Sequence, residues 1–535
     1  MLARRQGACL GITEEGKIAH APTRHRLAAA LAGASYKASL AGLDAPASGY
    51  HRPVTSGPDA SGRASGAGSG PVADPAMVAR AREIKRRESA AFASRTPRSA
   101  EWLVQARTRM PDGVPMAWMA ALQRHPPVVA VRGAGSRFWD LDGNEYLDFN
   151  VADQSMAAGF ASAPIVAAIA RQAELGNHFL LPTAEAMEVC RLLTEQFGLP
   201  QWQFTLSASG ANTDALRLAR VATGRSAVLI FDGKYHGHVD QILWSSHYDS
   251  SDGAGGGGLA ADALGLDPES GRHVDVLTYN DAAALRARLA RGDVAAVLLE
   301  PALTNCGLVL PMPEFVAALN AEVRAAGALL IVDETHTQFA VYGGGTRHFG
   351  FEPDIVTGGK GIGGGIPIGV VGMTDALAGV MTGNLAYWPG REETGDCHGI
   401  ATGGTLYANA MSLSAARAGL AEVFTPVAAD RVGDLGERLQ RGLQAQVDRV
   451  GLPWTIDRLG GRAQWRLTPA PPRTGADGFD SVVLPICDAR KVFMANHGVW
   501  DAIAAAGPSV SYAASAADVD AYIAVAGKFL DELTA

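Results

Sequence analysis

The most informative part of this sequence reads GALLIVDETHTQF over residues 327–339 and PDIVTGGKGIGGGIPIG over residues 353–369. Each stretch contains a short apolar run, ALLIV and IV, of the kind that forms a buried strand. Asp333 comes directly after the first run, and Lys360 stands among glycines shortly after the second. Because ligands of a parallel sheet bind beyond the carboxyl ends of its strands, Asp333 and Lys360 are candidate functional residues.

The sequence around these stretches alternates between helical and strand patterns. We predict helices at 213–222, 282–289 and 314–326, strands at 227–231, 295–299, 328–332, 355–356 and 368–371, and a β-hairpin over 137–148. Strands rich in Val, Ile and Leu with helices between them predict an α/β fold, with a mostly parallel sheet covered on both faces. Asp232 and Glu300 also follow strands, so we expect them at the same edge of the sheet as Asp333.

The composition excludes several classes of protein. The chain has 535 residues, with 46 Lys or Arg against 54 Asp or Glu, a formal net charge of −8. This balance excludes a generally basic nucleic-acid binder. No run of 18 apolar residues occurs, so we expect no membrane partner. The five cysteines form no C-x-x-C pair, so we predict neither a metal site nor a disulfide framework, and a cytoplasmic location is the default.

The first 75 residues differ from the rest of the chain. Much of this segment consists of Gly, Ser, Pro and Ala, a composition that cannot bury enough apolar area to offset its ordering entropy. We therefore predict that residues 1–75 form a disordered tail. A targeting peptide is the alternative, although the apolar region of a secretory signal is missing. Residues 76–93 then have the pattern of a basic surface helix.

Lys360 taken alone has an ordinary alternative, because a surface lysine in a flexible glycine-rich loop would give the same local sequence. A dinucleotide-binding loop is disfavoured, since the glycines do not have the order strand, G-x-G-x-x-G, helix and are followed by Pro367. The combination favours a functional site. Asp333 precedes Lys360 by 27 residues, and a serine-rich turn, residues 207–209, opens a helix upstream.

This combination resembles fold-type I pyridoxal-phosphate enzymes. More narrowly, it resembles class III aminotransferases, in the branch that includes glutamate-1-semialdehyde 2,1-aminomutase. The resemblance begins near Met110 and continues to the C-terminus. It rests on WDLDGNEYLDF (139–149), SASGANTDALRLAR (207–220), KYHGH (234–238), EPALTNCGLVLP (300–311), GGTLYANAMSLSAA (403–416) and the two stretches quoted first.

The resemblance implies a large cofactor-binding domain, whose mostly parallel sheet is covered by helices, and a smaller α+β domain built from N- and C-terminal segments. We assign residues 76–160 to an N-terminal helix and the N-terminal part of the small domain. Residues 161–408 form the predicted large domain, and residues 409–535 form the C-terminal part of the small domain.

The resemblance also implies that the cofactor is pyridoxal 5′-phosphate. Lys360 matches the lysine that forms a Schiff base with it and then moves protons. Asp333 matches the carboxylate that pairs with the pyridinium nitrogen. Ser207, Ala208 and Ser209 occupy the phosphate-binding turn, where Ala208 stands in place of the usual glycine.

Further cofactor contacts follow from the same resemblance. Tyr235 and His236 belong to the segment whose aromatic residue covers the cofactor ring. Glu300 matches a carboxylate that orients its neighbours. His336 stands where glutamine or methionine is usual; it either hydrogen-bonds the phenolic oxygen of the ring or is a structural histidine. Thr405 matches a threonine that reaches the phosphate in the neighbouring subunit, which implies a homodimer.

Three departures from the sequence of the aminomutase argue that this chain acts on a different substrate. Residues 111–118 lack the arginine that the aminomutase carries after its N-terminal motif, and residues 150–156 lack its tryptophan. The glycine-rich insertion at 250–258 stands in place of its gating loop.

Candidate substrate residues come from the need to bind a carboxylate, for which the forked guanidinium of arginine is well suited. Arg462 and Arg466 lie together on a predicted strand; the alternative is that both are surface arginines. Four further side chains are candidates for an apolar pocket wall: Trp118, Met119, Phe179 and Trp465.

We therefore expect a transaminase that moves an amino group between an amino acid, or an amine, and a 2-oxo acid through a Schiff base on Lys360. One alternative is an isomerase on the same scaffold, either an aminomutase of the glutamate-1-semialdehyde type or an amino-acid racemase. Another is a non-catalytic relative that binds a partner, against which the retention of Lys360 and Asp333 argues. The expected partners are a small amino donor, a small oxo acceptor and a second copy of the chain.

Overall fold

The structure is a computed structural model that describes residues 73–121, 125–246, 259–383, 399–503 and 505–535. The predicted tail, apart from residues 73–75, and the glycine-rich insertion at 250–258 lie outside the described residues. Within these ranges, no helix combines the length and the apolar character needed to cross a membrane.

The helices and strands alternate along most of the chain. The helices are α1 (Pro75–Arg95), α2 (Pro97–Ala106), α3 (Trp118–Ala121), α4 (Ala163–Leu175), α5 (Ala184–Phe197), α6 (Ala208–Thr223), α7 (Ala282–Leu289), α8 (Pro313–Ala318), α9 (Gly344–Phe349), α10 (Asp375–Gly383), α11 (Ala410–Ala418), α12 (Pro426–Arg449), α13 (Gly475–Asp480), α14 (Leu484–Asn496) and α15 (Ala516–Thr534). The strands are β1 (Ala130–Ala134), β2 (Arg137–Asp140), β3 (Glu145–Asp148), β4 (Gln201–Thr205), β5 (Ala227–Phe231), β6 (Trp244–Ser246), β7 (Leu259–Ala261), β8 (Val274–Leu277), β9 (Val294–Leu299), β10 (Leu329–Asp333), β11 (Ile355–Gly358), β12 (Gly369–Met373), β13 (Thr455–Leu459), β14 (Arg462–Arg466) and β15 (Val499–Trp500).

The central sheet has seven strands in the order β4-β12-β11-β10-β9-β5-β8. Strands β8, β5, β9, β10 and β11 are parallel neighbours, whereas β12 is antiparallel to both β11 and β4. The predicted α/β fold with a mostly parallel sheet is therefore confirmed. The reversal of β12 could not be seen in its short apolar pattern, because strand direction is set by the connections between strands.

The two faces of this sheet are buried under different helices. Along β5, Val228 and Ile230 pack in a cluster that contains residues of α6, whereas Leu229 and Phe231 pack in a second cluster with residues of α7 and α8. Successive side chains of a strand point to opposite faces, so a fully apolar strand such as AVLIF supplies both cores.

Two predicted helices differ in detail from those of the structure. The helix predicted at 213–222 begins at Ala208, because Ser207 caps it: its side chain accepts a hydrogen bond from Gly210 N. The helix predicted at 314–326 begins as α8 and then widens into a π-helical turn over Leu319–Val323.

The N-terminal and C-terminal segments share a smaller sheet, in the order β1-β2-β3-β15. Strand β15 is parallel to β3, with Val499 opposite Leu147. Helix α1 contacts α14, where Lys85 Nζ lies 2.8 Å from Asp488 Oδ2. Segments that lie about 350 residues apart in sequence are thus joined in one layer.

Four strands of the central sheet, β5, β9, β10 and β11, end at the same edge. Asp232 follows β5, Glu300 follows β9, and Asp333 is the last residue of β10. Lys360 comes two residues after the end of β11. The described chain therefore brings the polar residues of the sequence motifs to the carboxyl edge, where an α/β sheet binds its ligands.

Candidate active site

The beginning of α6 forms a cradle of backbone donors. The first N–H groups of a helix have no partner within the helix, and they favour an anion there. Ser209 Oγ accepts a hydrogen bond from His238 N at 3.0 Å, which ties the 237–238 loop to this turn. Gly237 has φ +85°, and a Cβ on it would lie 2.2 Å from Ser209 Oγ, so this close approach requires glycine.

The loop that carries Lys360 approaches the same turn. A Cβ on Gly359 would lie 2.9 Å from Ala208 N, so the absence of a side chain at Gly359 lets the two backbones meet. Ala208 is not among the residues with positive φ, and its replacement of the family's glycine therefore adds no left-handed strain.

Asp333 is a buried carboxylate whose oxygens are held by several donors. Its Oδ2 accepts from Asn212 Nδ2 at 2.8 Å and lies 2.9 Å from His236 Nδ1, and its Oδ1 accepts from Thr335 N at 3.0 Å. Burial alone would raise the pKa of Asp333, but the hydrogen bonds from His236, Thr335 and Asn212 lower it below its usual range. The carboxylate is therefore ionised and ready to pair with a cation.

Lys360 is held at its amine by two side chains. Nζ donates to Asp153 Oδ2 at 2.5 Å and lies 2.6 Å from His336 Nε2. Lys360 itself has φ +50°, a strained conformation for a residue with a side chain. Asp153 and Lys360 are 207 positions apart in the sequence, and the sequence analysis did not select Asp153 as a site residue.

His336 is neutral and has a defined tautomer. Burial, together with the nearby charge of Lys360, lowers the pKa of His336 to about 3. Thr304 Oγ1 donates to Glu300 Oε2 at 2.6 Å, so it accepts from His336 Nδ1 at 2.8 Å. The remaining nitrogen, Nε2, then presents its lone pair to Lys360. The structure thus places His336 beside Lys360, and its hydrogen bond to the phenolic oxygen of the ring stays a prediction.

Glu300 connects this network to the aromatic segment. Besides accepting from Thr304, it accepts from Tyr235 N at 2.9 Å. Burial raises the pKa of Glu300. The ring of Tyr235 contacts Trp118 with centroids 5.3 Å apart, which places two aromatic side chains together at the site. Trp118 comes from α3, outside the central sheet, and is half-buried.

The two candidate arginines are buried, so the alternative of surface arginines is wrong: Arg462 is 3% exposed and Arg466 is 1% exposed. Arg462 donates to Thr304 O at 2.9 Å and to Ala506 O at 2.7 Å. Its third nitrogen, Nη1, is buried and has no hydrogen-bond partner among the residues that the structure describes. The charge of Arg462 also acts on the pKa values of Asp153 and His336, so it belongs to the surroundings of Lys360.

Arg466 has a different environment. It forms an ion pair with Asp457 of the neighbouring strand and donates to Leu308 O. These contacts connect the β13–β14 hairpin to the turn after β9, and none of them involves Lys360, Asp153 or His336. We therefore retain Arg462 alone as the candidate for binding a substrate carboxylate.

Two expected wall residues are placed differently from expectation. Trp465 is 2% exposed, and its Nε1 donates a hydrogen bond to the Tyr522 hydroxyl at 3.4 Å. Arg490 lies over its ring. Trp465 therefore packs in the hydrophobic core, in the same cluster as Tyr522. Phe179 is 48% exposed and covers Gly176. Met119 is also about half exposed, whereas Trp118 contacts the ring of Tyr235.

Thr405 lies exposed in the turn that precedes α11. The hydroxyl of Tyr407, in the same turn, lies 3.1 Å from the position that a Cβ on Gly210 would take. The turn is thus next to the first turn of α6 in its own chain. Its relation to a second subunit remains a prediction.

Comparison with known proteins gives the family. Residues 118–471 match the family model described as aminotransferase class-III, which covers more than half of the chain. Glutamate-1-semialdehyde 2,1-aminomutase 2 of Geobacillus kaustophilus is 33% identical over 342 residues, or 62% of this chain and 74% of that protein. The chain belongs to the class III aminotransferase family.

Solved structures agree with this assignment. A glutamate-1-semialdehyde-aminomutase of Pseudomonas aeruginosa, in complex with PMP, is 34% identical and superposes with a TM-score of 0.78, covering 85% of this chain and 99% of that one. An omega-transaminase of Sphaerobacter thermophilus is 28% identical, with a TM-score of 0.73 and coverage of 82% and 98%. This protein is a pyridoxal-phosphate-dependent enzyme of class III, with both aminomutases and transaminases among its relatives.

The described side chains fit pyridoxal phosphate. The cradle at the start of α6 suits a phosphate, the buried and ionised Asp333 suits a protonated ring nitrogen, and Lys360 offers an amine. Beside Asp333, His236 Nε2 is buried and finds no hydrogen-bond partner within the described part of the chain, which leaves one donor or acceptor available to a bound group. Asn212, Thr304 and Asp153, which complete this arrangement, were missed by the sequence analysis.

Proposed function

We propose that this chain is a transaminase acting on amino acids, with Lys360 as the residue that carries the cofactor covalently and moves the proton through Nζ. Asp333 pairs with the ring nitrogen, and Ser207, Ala208 and Ser209 at the start of α6 bind the phosphate. Bound pyridoxal phosphate supplies an electron sink for the carbon that loses its proton.

One observation supports a transaminase over an aminomutase. Asp153 lies in the stretch 150–156, which lacks the tryptophan expected of the aminomutase, and its carboxylate contacts Lys360 Nζ at 2.5 Å. The reacting amine therefore has a charged neighbour in this chain. Arg462, with its buried and unpartnered Nη1, is the group we propose for the substrate carboxylate.

A panel of amino donors, each offered with pyruvate or 2-oxoglutarate, tests this function. A transaminase converts donor and acceptor in equal amounts and forms no product when the acceptor is left out. Following the stereochemistry of the donor at the same time detects a racemase. Formation of a positional isomer or of the mirror-image amino acid without any acceptor would show that the enzyme is an isomerase.

We propose a homodimer in which Thr405 reaches the phosphate site of the partner. Supporting this, Thr405 is exposed, so its hydroxyl is open to a second copy of the chain. Sizing of the purified enzyme with light scattering tests the assembly, and an active monomer would contradict it.

We also propose that the enzyme works in the cytoplasm. Cys190 and Cys306 are free thiols, and this state is maintained in a reducing compartment. Fractionation of cells followed by detection of the native enzyme tests the location, which would be wrong if the protein were recovered outside the cytoplasmic fraction.

A further inference from the structure

The stretch that carries Asp153 has an unusual backbone. Four successive residues have positive φ: Val151 at 51°, Ala152 at 42°, Asp153 at 55° and Gln154 at 70°. Residues other than glycine rarely adopt this left-handed conformation, and a β-branched residue such as Val151 is a pronounced outlier. A run of this kind persists only where its surroundings hold it in place, and such strain is concentrated at functional sites.

The surroundings do hold this turn. At its start, Asp148 Oδ1 accepts hydrogen bonds from Asn150 N at 2.9 Å and Val151 N at 3.0 Å. At its end, Gln154 Nε2 donates to Ser509 Oγ at 2.8 Å. The turn is therefore fixed from both sides, by the strand before it and by the C-terminal segment.

The turn is also fitted against the loop that carries Lys360. A Cβ on Gly361 would lie 3.0 Å from Gln154 O, so the glycine that follows Lys360 allows the turn to approach. Asp153 then reaches Nζ directly. Its side chain remains 30% exposed, which leaves the carboxylate facing open space as well as the lysine.

The charges around this point have a defined arrangement. Burial alone would raise the pKa of Asp153, but its neighbours, Lys360 above all and then His336 and Arg462, outweigh burial and lower it. His336 is neutral. Among the arginines of the described chain that have an unpartnered N–H, Arg462 is the one whose charge acts on both Asp153 and His336.

We propose that Asp153 is a specificity-determining residue, which makes the site select substrates with one carboxylate and reject those with two. This inference rests on the proposed function, because it concerns the substrate of that same site. One carboxylate of an amino acid or 2-oxo acid is met by Arg462. A second carboxylate has to enter a site where Asp153 already presents a negative charge beside the reacting amine, and like charges brought together without water between them repel strongly. The ammonium group of an amino donor, in contrast, is attracted to Asp153.

The test separates binding from turnover. Pentanoate and glutarate have the same number of carbons and differ by one carboxylate, and neither can react. Their dissociation constants for the cofactor-loaded enzyme are measured by calorimetry, for the wild type, Asp153→Asn, Asp153→Glu and Asp430→Asn. Asp430 is exposed on α12, so its variant controls for a change in net charge alone.

We expect the wild type to bind pentanoate roughly tenfold more tightly than glutarate, and Asp153→Asn to remove most of this ratio by strengthening glutarate binding. Asp153→Glu, which keeps the charge, retains the preference, as does Asp430→Asn. The proposal is overturned if the wild type prefers glutarate, or if Asp153→Asn changes both ligands by the same factor, since Asp153 would then serve only to position Lys360. A wild type that prefers glutarate overturns the proposal even if a variant does not fold, and Asp153→Glu gives a second variant at the same position.

Turnover gives an independent readout. For the wild type, kcat/KM with pyruvate exceeds that with 2-oxoglutarate, and Asp153→Asn narrows the difference. If no acceptor supports turnover while the ratio of pentanoate to glutarate binding behaves as expected, the transaminase assignment is wrong and the selectivity of Asp153 stands. If transamination proceeds with a preference for 2-oxoglutarate, the function stands and the selectivity is wrong.

Discussion

His236 Nδ1 lies 2.9 Å from Asp333 Oδ2 at the carboxyl edge of the sheet, and both side chains are buried. This contact helps to keep Asp333 ionised where water is excluded. The charge is available to a cationic ring nitrogen only because the hydrogen bonds of Asp333 offset the cost of burial.

Asp333→Asn is expected to lower kcat by about 10²-fold or more, because the amide keeps the shape of the carboxylate and loses its charge. Steady-state kinetics at saturating cofactor measures the loss. Asp430→Asn, at an exposed site, serves as the control and is expected to match the wild type. Near-normal kcat for Asp333→Asn would contradict the pairing with the ring.

Lys360→Ala is expected to bind pyridoxal phosphate without a covalent link. Reduction with borohydride followed by mass spectrometry should show the cofactor attached to the wild type and absent from the variant. Lys528→Ala, which alters an exposed lysine on α15, should be labelled like the wild type. Cofactor still covalently attached to the Lys360→Ala chain would show that another lysine is used.

Thr304→Val is expected to lower the free energy of unfolding by about 1–3 kcal/mol, because it leaves His336 Nδ1 and Glu300 Oε2 buried without their shared partner. Urea unfolding measures the change. Thr304→Ser keeps the hydroxyl and should recover most of the loss. Destabilisation by serine but not by valine would show that the methyl group, which valine keeps and serine lacks, matters at this position and the hydroxyl does not.

Gly237→Ala is expected to weaken cofactor retention, since a Cβ there would displace Ser209 from the proposed phosphate cradle. Gly224→Ala is the matched control. Gly224 also has positive φ, +66°, but a Cβ on it would meet no described atom within 4 Å. Gly224→Ala is therefore destabilised only by left-handed backbone strain, which costs roughly 1–2 kcal/mol. Equilibrium dialysis measures how tightly each variant retains the cofactor, which separates the effect of the clash with Ser209 from that of backbone strain. Equal cofactor retention by the two variants would show that the clash has no effect.

A mixed dimer tests the role of Thr405. Thr405→Val should weaken cofactor retention, because a hydrogen bond to a charged group contributes about 1.5–3 kcal/mol. Combining a Lys360→Ala subunit with a Thr405→Val subunit should restore one intact site in each heterodimer. Activity no greater than the sum of the parent enzymes would show that Thr405 serves its own chain or only packs.

Local sequence was sufficient for the central part of the fold. An apolar run such as AVLIF buries both of its faces as a strand, and the polar residue that follows it lies at the end of that strand. The positions of Asp333, Glu300 and Lys360 at one edge of the sheet therefore follow from the order of strands and helices along the chain. The serine-rich turn at 207–209 likewise marked the start of α6, because Ser207 caps that helix.

The contacts of Lys360 were decided by the tertiary structure. Asp153 comes from a left-handed turn 207 positions earlier, and nothing in the letters VADQ predicts positive φ at four successive residues. The contacts of Arg462 likewise depend on distant segments. The carbonyl groups of Ala506 and Thr304 accept hydrogen bonds from its Nε and Nη2, and the described residues leave its Nη1 without a partner. Sequence patterns report the local preferences of the chain, whereas the charge and reach of a side chain in a site depend on which distant segments pack against it.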